Sequence, residues 1–118
     1  ELHNLTDTDN LNVVAFEKET MDKLGLIPEI APRYRATYFS HIIGGYAAGY
    51  YSYLWAEVLD TDAFEAFKEH GVFDKNTADS FRKNILEKGG TEDPMTLYRA
   101  FRGADPSLEP LLENRGLK

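Results

Sequence analysis

Glycine residues that follow apolar segments of helical period constrain the fold of this sequence more than any other feature. Gly25, Gly71 and Gly103 each come directly after such a segment, where a glycine commonly ends an α-helix. Between the glycines, apolar side chains recur three or four residues apart, and strand-like alternation of polar and apolar residues is not sustained. The sequence therefore predicts an all-α fold of about five to seven helices.

Two helix starts carry residues that favour them. Asn12 can cap a helix that runs to Leu24, because its side chain can accept a hydrogen bond from a backbone N–H of the first turn. Asp93 can cap a second helix in the same way, and the following Pro94 suits the first helical position. We therefore predict helices at both places.

The middle of the chain predicts two helices separated by a glycine pair. Residues 34–43 have helical spacing that ends at the pair 44–45, and residues 46–59 resume it. Because the second segment is apolar on almost every side, we expect a buried helix there. Asp60 or Asp62 would then cap a separate, shorter helix.

Length and composition limit the class of protein. The chain has 118 residues, so we expect a single folding unit over 1–118, with residues 1–11 as a poorly ordered or truncated edge. Apolar runs fall short of the roughly 20 residues of a membrane span, which argues against a membrane protein. The formal charge of −7, with bases scattered among acids, argues against nucleic acid as a partner.

The absence of cysteine leaves the cellular compartment open between cytoplasm and periplasm, because no disulfide framework points to an oxidising environment. Residues 1–10 do not have the basic and then apolar pattern of a signal peptide. We expect a cytoplasmic protein, with a periplasmic one as the alternative. Because the sequence begins with Glu1 rather than Met, we also expect a fragment of a larger protein.

Three tyrosines in the central segment have helical spacing. Tyr46, Tyr50 and Tyr53 stand at positions i, i+4 and i+7, so an α-helix would place them within roughly 60° of one face. A buried hydroxyl without a partner costs about 1–3 kcal/mol, which a wet cleft would avoid. Spacing alone favours the other interpretation, in which the tyrosines belong to the core and their hydroxyls reach the surface.

Other residues of this segment have both ordinary and functional interpretations. Gly44 and Gly45 suit a turn between helices, or a flexible loop that lets backbone N–H groups approach a bound peptide. His41 suits a capping or core position more often than a catalytic one. Glu57 continues the tyrosine spacing one turn beyond Tyr53, or pairs with an arginine.

The sequence does not predict a metal site. His3 and His70 lack the spacing of metal ligands, and no His-Glu-x-x-His motif is present. The acids outside the central segment resemble solvated helix faces and caps. We therefore expect no metal ligand in this chain.

The segment from His41 to Glu57 resembles the substrate-binding motif of the peptidyl-dipeptidase and thimet oligopeptidase family of zinc peptidases. It reads His-x-x-Gly-Gly-Tyr-x-Ala-Gly-Tyr-Tyr-x-Tyr-Leu-Trp-x-Glu. Upstream, the resemblance includes Pro-Arg-Tyr-Arg-x-Thr-Tyr-Phe-x-His, which ends at His41. Downstream it includes residues 89–103 and 115–117, so that it covers nearly everything after about residue 13.

The resemblance implies a fragment of a larger enzyme. Members of the family are two-lobed helical shells around a deep channel, and their zinc is held by His-Glu-x-x-His and a later glutamate. We therefore expect a compact multi-helix fragment, the carboxyl-terminal substrate-binding segment of such a metallopeptidase. Its partners would be a short peptide substrate and the remaining amino-terminal part of the same peptidase. Zinc would be bound in the full-length parent, with no ligand from this chain.

The resemblance also assigns roles to the residues that match the motif. Tyr53 and His41 are the predicted catalytic residues: Tyr53 would donate a hydrogen bond to the oxyanion of the tetrahedral intermediate, and His41 would help Tyr46 to hold the substrate. Tyr50 would line subsites, and the loop at Gly44 and Gly45 would close over the peptide. We expect no peptidase activity from this chain alone. The alternative is a metal-free helical module that binds peptides or has a structural role.

Overall fold

The computed structural model describes residues 1–118, and its regular structure consists of helices with no strand. This confirms the predicted all-α fold class. The structure has six α-helices, two 3₁₀ turns at Leu2–Asn4 and Ala47–Tyr51, and one π-helical segment at Arg82–Leu86. The α-helices are α1 (Val13–Lys23), α2 (Ser40–Ile43), α3 (Ser52–His70), α4 (Lys75–Phe81), α5 (Pro94–Arg102) and α6 (Glu109–Asn114). None of them combines the length and the apolar character that crossing a bilayer requires.

The chain divides into two compact units. The first unit comprises Glu1–Tyr51 and the second Ser52–Lys118. The single folding unit over 1–118 stays a prediction, as does the poorly ordered edge at residues 1–11.

The predicted caps of α1 and α5 are confirmed. Asn12 Oδ1 accepts the N–H of Ala15 at 3.1 Å, and Asp93 Oδ1 accepts the N–H of Thr96 at 2.8 Å. Pro94 is the first residue of α5, and Gly103 ends that helix with a φ of 81°. Local hydrogen bonds of this kind satisfy backbone groups that a helix end leaves without partners.

The helix predicted over residues 34–43 is wrong except for its last turn, α2. Ala36 gives its backbone N–H to the carboxylate of Glu17 at 2.6 Å, so this group is not available for a helical hydrogen bond. The residues before α2 form turns instead, including one closed by the N–H of Tyr38 and the C=O of Arg35 at 3.0 Å. A side chain that binds the backbone competes in this way with helix formation.

The helix predicted over residues 46–59 begins later, at Ser52. Ala47 has a left-handed φ of 46°, and the N–H of Gly49 donates to the C=O of Tyr46 at 2.7 Å in a tight turn. The predicted burial is also wrong for the first turn of α3, where Tyr53 is 50% exposed and its neighbours Leu54 and Trp55 are exposed as well.

No new helix begins at Asp60 or Asp62, because α3 continues through both residues to His70. Asp62 is 4% exposed and has a structural role instead of a capping one. The hydroxyl of Tyr98 donates to Asp62 Oδ2 at 2.5 Å, which ties α5 to α3. Arg102 donates from Nε to the backbone C=O of Asp62 at 3.1 Å and from both Nη atoms to Glu69.

The core of the second unit lies where α3, α4, α5 and α6 meet. Three phenylalanine rings from α3, α4 and α5 form a cluster, with centroid distances of 6.0 Å between Phe67 and Phe81 and 5.2 Å between Phe81 and Phe101. The buried apolar side chains are Val58, Ala66, Leu97, Tyr98 and Leu111. This packing supports α3, the helix that carries Tyr53.

The bond between Tyr98 and Asp62 predicts a loss of stability in Tyr98→Phe. Removing the hydroxyl leaves a buried carboxylate without this donor, which should lower the free energy of unfolding by about 1–3 kcal/mol. Urea unfolding measures the change. Tyr51→Phe, at a position 72% exposed, is the control and should change little. Equal effects of the two substitutions would contradict the importance of this bond.

Candidate functional site

Five ring-bearing residues of the first unit form an aromatic cluster: Tyr34, Phe39, His41, Tyr46 and Tyr50. The His41 ring lies 5.8, 6.0, 5.6 and 5.3 Å from the rings of Tyr34, Phe39, Tyr46 and Tyr50, measured between centroids. Phe39 stacks on Tyr34 at 4.9 Å and meets Tyr50 edge to face at 4.7 Å. The structure therefore brings together three of the predicted site residues, His41, Tyr46 and Tyr50.

The residues of the aromatic cluster are partly buried and partly accessible. Edge-to-face and stacked pairs contribute about 0.5–1.5 kcal/mol each beyond their burial, so they restrict the orientation of the rings. His41 and Tyr50 are half-buried, whereas Tyr46 is 42% exposed. An imidazole and two phenols are thus held in one place with part of their surface accessible.

The glycine loop between α2 and the 3₁₀ turn follows directly after His41. The N–H of Gly44 donates to the C=O of Ser40 at 2.8 Å, and the N–H of Tyr46 donates to the C=O of His41 at 3.3 Å. Gly44 and Gly45 are exposed. The left-handed backbone of Ala47 costs roughly 1–2 kcal/mol relative to a right-handed one. Such strain is common at functional sites, where the surrounding structure maintains it.

The two glycines of this loop predict different responses to substitution. A Cβ at Gly44 would lie 3.2 Å from the backbone oxygen of Ser40, whereas a Cβ at Gly45 would have no atom within 4 Å. We expect Gly44→Ala to lower the free energy of unfolding by about 1 kcal/mol through overpacking. Gly45→Ala should leave stability unchanged or slightly raised. Urea unfolding of both variants tests this, and a larger loss from Gly45→Ala would contradict the loop geometry.

Tyr53 belongs to the second unit, as the second residue of α3. The prediction that Tyr46, Tyr50 and Tyr53 form one stripe on an α-helix is wrong, because Tyr46 precedes the 3₁₀ turn and Tyr50 lies within it. With half of its surface exposed, Tyr53 is not a core residue of its unit. It keeps an accessible phenol at the start of a long helix.

Glu57 pairs with an arginine, as one of the two interpretations of the sequence predicted. Arg115 Nε donates to Glu57 Oε1 at 3.1 Å, and Arg115 Nη2 donates to Oε2. The hydrogen bonds from Arg115 lower the pKa of Glu57 below its ordinary value. The pair connects the residues after α6 to α3, one turn beyond Tyr53.

Glu17 is a buried acid of the first unit that local sequence patterns did not reveal. It is 9% exposed, and its carboxylate accepts the N–H of Ala36 at 2.6 Å and Arg35 Nη1 at 2.7 Å. The N–H of Ala36 is the main cause of a lowered Glu17 pKa, and Arg35 lowers it further against the opposing effect of burial. A possible signal was its place between Val13 and Met21, an acid on the apolar face of α1.

The charge of Glu17 predicts acid sensitivity. Its folded-state pKa lies below the ordinary 4.5, so its stabilisation is complete above about pH 4.5 and is lost as pH falls through the lowered pKa. In Glu17→Gln, the free energy of unfolding should therefore decrease less steeply below pH 4.5 than in the wild type. Urea unfolding at several pH values measures the slope. Glu19→Gln removes an exposed acid of the same helix, and equal slopes in the two variants would contradict the prediction.

The described residues do not fit a zinc site. No group of three or more His, Cys, Asp or Glu side chains that could hold a metal ion occurs within residues 1–118. His41 is surrounded by aromatic rings, and Glu17 and Glu57 are engaged with arginines. We assign no metal ligand and no metal-dependent step to this chain.

Comparisons with known proteins agree with the resemblance seen in the motif. Oligopeptidase A of Escherichia coli (strain K12) is 58% identical over 81 residues, which is 68% of this chain and 12% of that protein. Dipeptidyl carboxypeptidase of the same strain is 44% identical over 114 residues, 96% of this chain and 16% of that protein. Probable cytosolic oligopeptidase A of Arabidopsis thaliana is 55% identical over 84 residues, 67% of this chain and 12% of that protein.

The chain therefore spans between about a tenth and a fifth of the length of these relatives. The model of one protein family, described as peptidase family M3, matches residues 1–117. The match includes the aromatic cluster, the glycine loop and α3 with Tyr53. On this evidence, the chain belongs to peptidase family M3.

Proposed function

We propose that this chain is the substrate-binding segment of a metallopeptidase that hydrolyses short peptides, and that Tyr53 stabilises the transition state. The observation that carries the proposal is the accessible Tyr53, 50% exposed at the start of α3, within a chain that belongs to peptidase family M3. A tyrosine that served only the core would be buried, as Tyr98 is at 5% exposure.

Tyr53 acts as a hydrogen-bond donor to the substrate. When a peptide bond is attacked, negative charge develops on its carbonyl oxygen, and a preorganised donor at that oxygen lowers the barrier by about 2.7–4 kcal/mol. The packing of α3 in the core of the second unit limits the movement of the helix and so prepares this donor. The pair formed by Glu57 and Arg115 adds a restraint one turn beyond Tyr53.

The aromatic cluster supplies binding rather than chemistry to the bond that is cleaved. His41 and Tyr46 can donate hydrogen bonds to peptide carbonyls, and the rings of Tyr46 and Tyr50 offer apolar walls to substrate side chains. Their mutual contacts at 5.3 to 6.4 Å hold these groups in fixed orientations before a peptide arrives. The exposed loop at Gly44 and Gly45 lets a bound peptide approach the backbone closely, although the N–H groups of Gly44 and Tyr46 are used in hydrogen bonds within the loop.

Other residues of the same peptidase would supply the zinc ligands, because none are assigned to this chain. We accordingly expect no hydrolysis by residues 1–118 alone. The name of the Escherichia coli dipeptidyl carboxypeptidase supports release of dipeptides as one mode of cleavage. The name of the Arabidopsis relative, probable cytosolic oligopeptidase A, supports a cytoplasmic location over the periplasmic alternative.

Tyr53→Phe in the full-length peptidase that contains this chain tests the proposal. Loss of the hydroxyl should lower kcat by about 100- to 1,000-fold while KM changes little, because the hydrogen bond forms mainly in the transition state. Steady-state hydrolysis of a short fluorogenic peptide measures both constants. Tyr51→Phe is the matched control, since Tyr51 is two residues away and 72% exposed. A kcat within twofold of the wild type in Tyr53→Phe would refute the role of Tyr53.

A metal-free peptide-binding module is the second candidate, and the accessible side of the aromatic cluster favours it. Calorimetric titration of the 118-residue chain with a short peptide in the presence of a chelator separates the two functions. Suppose that the 118-residue chain binds the peptide, and that the full-length protein containing it does not hydrolyse peptides. The peptide-binding module is then the correct function. If the longer protein hydrolyses peptides and loses turnover in Tyr53→Phe, the peptidase is correct.

A further inference from the structure

The segment that precedes the aromatic cluster, residues 32–39, has little regular structure of its own. Two backbone hydrogen bonds between residues close in sequence form turns in it. The N–H of Tyr38 donates to the C=O of Arg35 at 3.0 Å, and the N–H of Ser40 donates to the C=O of Tyr38 at 2.9 Å. Turns of this kind do not fix a segment against the rest of a protein. Its position in the first unit must therefore depend on side-chain contacts.

Glu17 supplies such a contact from α1. One carboxylate oxygen accepts the backbone N–H of Ala36 at 2.6 Å, and the other accepts Arg35 Nη1 at 2.7 Å. The two bonds join residues 18 and 19 positions apart in the sequence, and their partners Arg35 and Ala36 are adjacent in the segment. Because Glu17 is buried and α1 is a regular helix of 11 residues, the anchor itself is rigid.

Arg35 and Ala36 lie, in the sequence, between Tyr34 and Phe39, the first two residues of the aromatic cluster. Tyr34 precedes Arg35, and Phe39 comes three residues after Ala36. These two rings stack on each other at 4.9 Å, and both contact His41, at 5.8 and 6.0 Å. A displacement of the segment would therefore move the two rings against which His41 is packed.

We propose that Glu17 is a positioning residue, which sets the orientation of His41 and Tyr50 for substrate by anchoring the segment between Tyr34 and Phe39. This inference rests on the proposed function, since it assumes that His41 and Tyr50 hold the peptide. Glu17 acts through these neighbours and does not itself contact substrate. Phe39 transmits the effect to Tyr50, which it meets edge to face at 4.7 Å.

The chemistry of the anchor predicts a graded series of variants. Glu17→Gln keeps an amide oxygen that can accept the N–H of Ala36, but it loses the charge that pairs with Arg35. Glu17→Ala loses both bonds. Arg35→Gln loses the ion pair and leaves the bond to Ala36 intact. We therefore expect Glu17→Ala to have the largest effect and the other two variants to have smaller ones.

The first measurement follows the rings directly, in the 118-residue chain. Aromatic ¹H–¹³C spectra should show the His41 and Tyr50 ring signals shifted or broadened in Glu17→Ala and less affected in Glu17→Gln. Glu19→Ala is the matched control, because Glu19 is an exposed acid on the same helix. Ring signals that match those of the control in Glu17→Ala would overturn the proposal.

The second measurement is kinetic, in the full-length peptidase that contains this chain. Glu17→Ala should lower kcat/KM on the order of tenfold to 100-fold, because small misplacements of binding groups are costly. Circular dichroism gives the folded fraction for normalisation, and Glu17→Gln, which keeps the acceptor, provides the comparison if Glu17→Ala folds poorly. Glu19→Ala should retain the wild-type value.

The outcomes separate a positioning role from a structural one. If Glu17→Ala moves the ring signals and normalised kcat/KM stays within twofold of the wild type, Glu17 only stabilises the fold and the proposal is wrong. If both measurements change in the predicted order, the proposal is supported. A failure of the proposed function is visible separately, because Tyr53→Phe would then leave kcat unchanged.

Discussion

A buried carboxylate must be hydrogen-bonded, and this requirement organises both units of the structure. In the first unit Glu17 binds the backbone of Ala36 and the side chain of Arg35, and in the second Asp62 accepts the hydroxyl of Tyr98. Leaving a buried polar group without its donor costs about 1–3 kcal/mol. Each carboxylate therefore fixes a distant part of the chain to a helix, the segment before the aromatic cluster in one case and α5 in the other.

The distance along the sequence explains which features could be predicted. Asn12 and Asp93 bind backbone N–H groups three residues away, so their caps and helices were evident from local sequence. Glu17 and Asp62 have partners 19 and 36 residues away, which spacing and composition do not show. The tertiary bond of Glu17 also explains why the predicted helix over residues 34–43 is confined to one turn.

The residues of the candidate site were named from the sequence, but their geometry was predicted only in part. The structure brings His41, Tyr46 and Tyr50 together, while their roles toward substrate stay a prediction. Helical spacing failed for the tyrosines because the left-handed backbone of Ala47 and a 3₁₀ turn interrupt the helix before Ser52. The rings meet through their contacts with His41, and a sequence pattern based on a regular helix does not describe such packing.

The proposed mechanism depends most on Tyr53 as a hydrogen-bond donor to the transition state. A crystal structure of the full-length peptidase bound to a phosphinic peptide, whose tetrahedral group imitates the intermediate, tests this directly. We expect the Tyr53 hydroxyl to lie about 2.6–3.2 Å from a phosphinyl oxygen. A bound inhibitor whose phosphinyl oxygens lie beyond hydrogen-bonding distance of Tyr53, with other donors in its place, would contradict it.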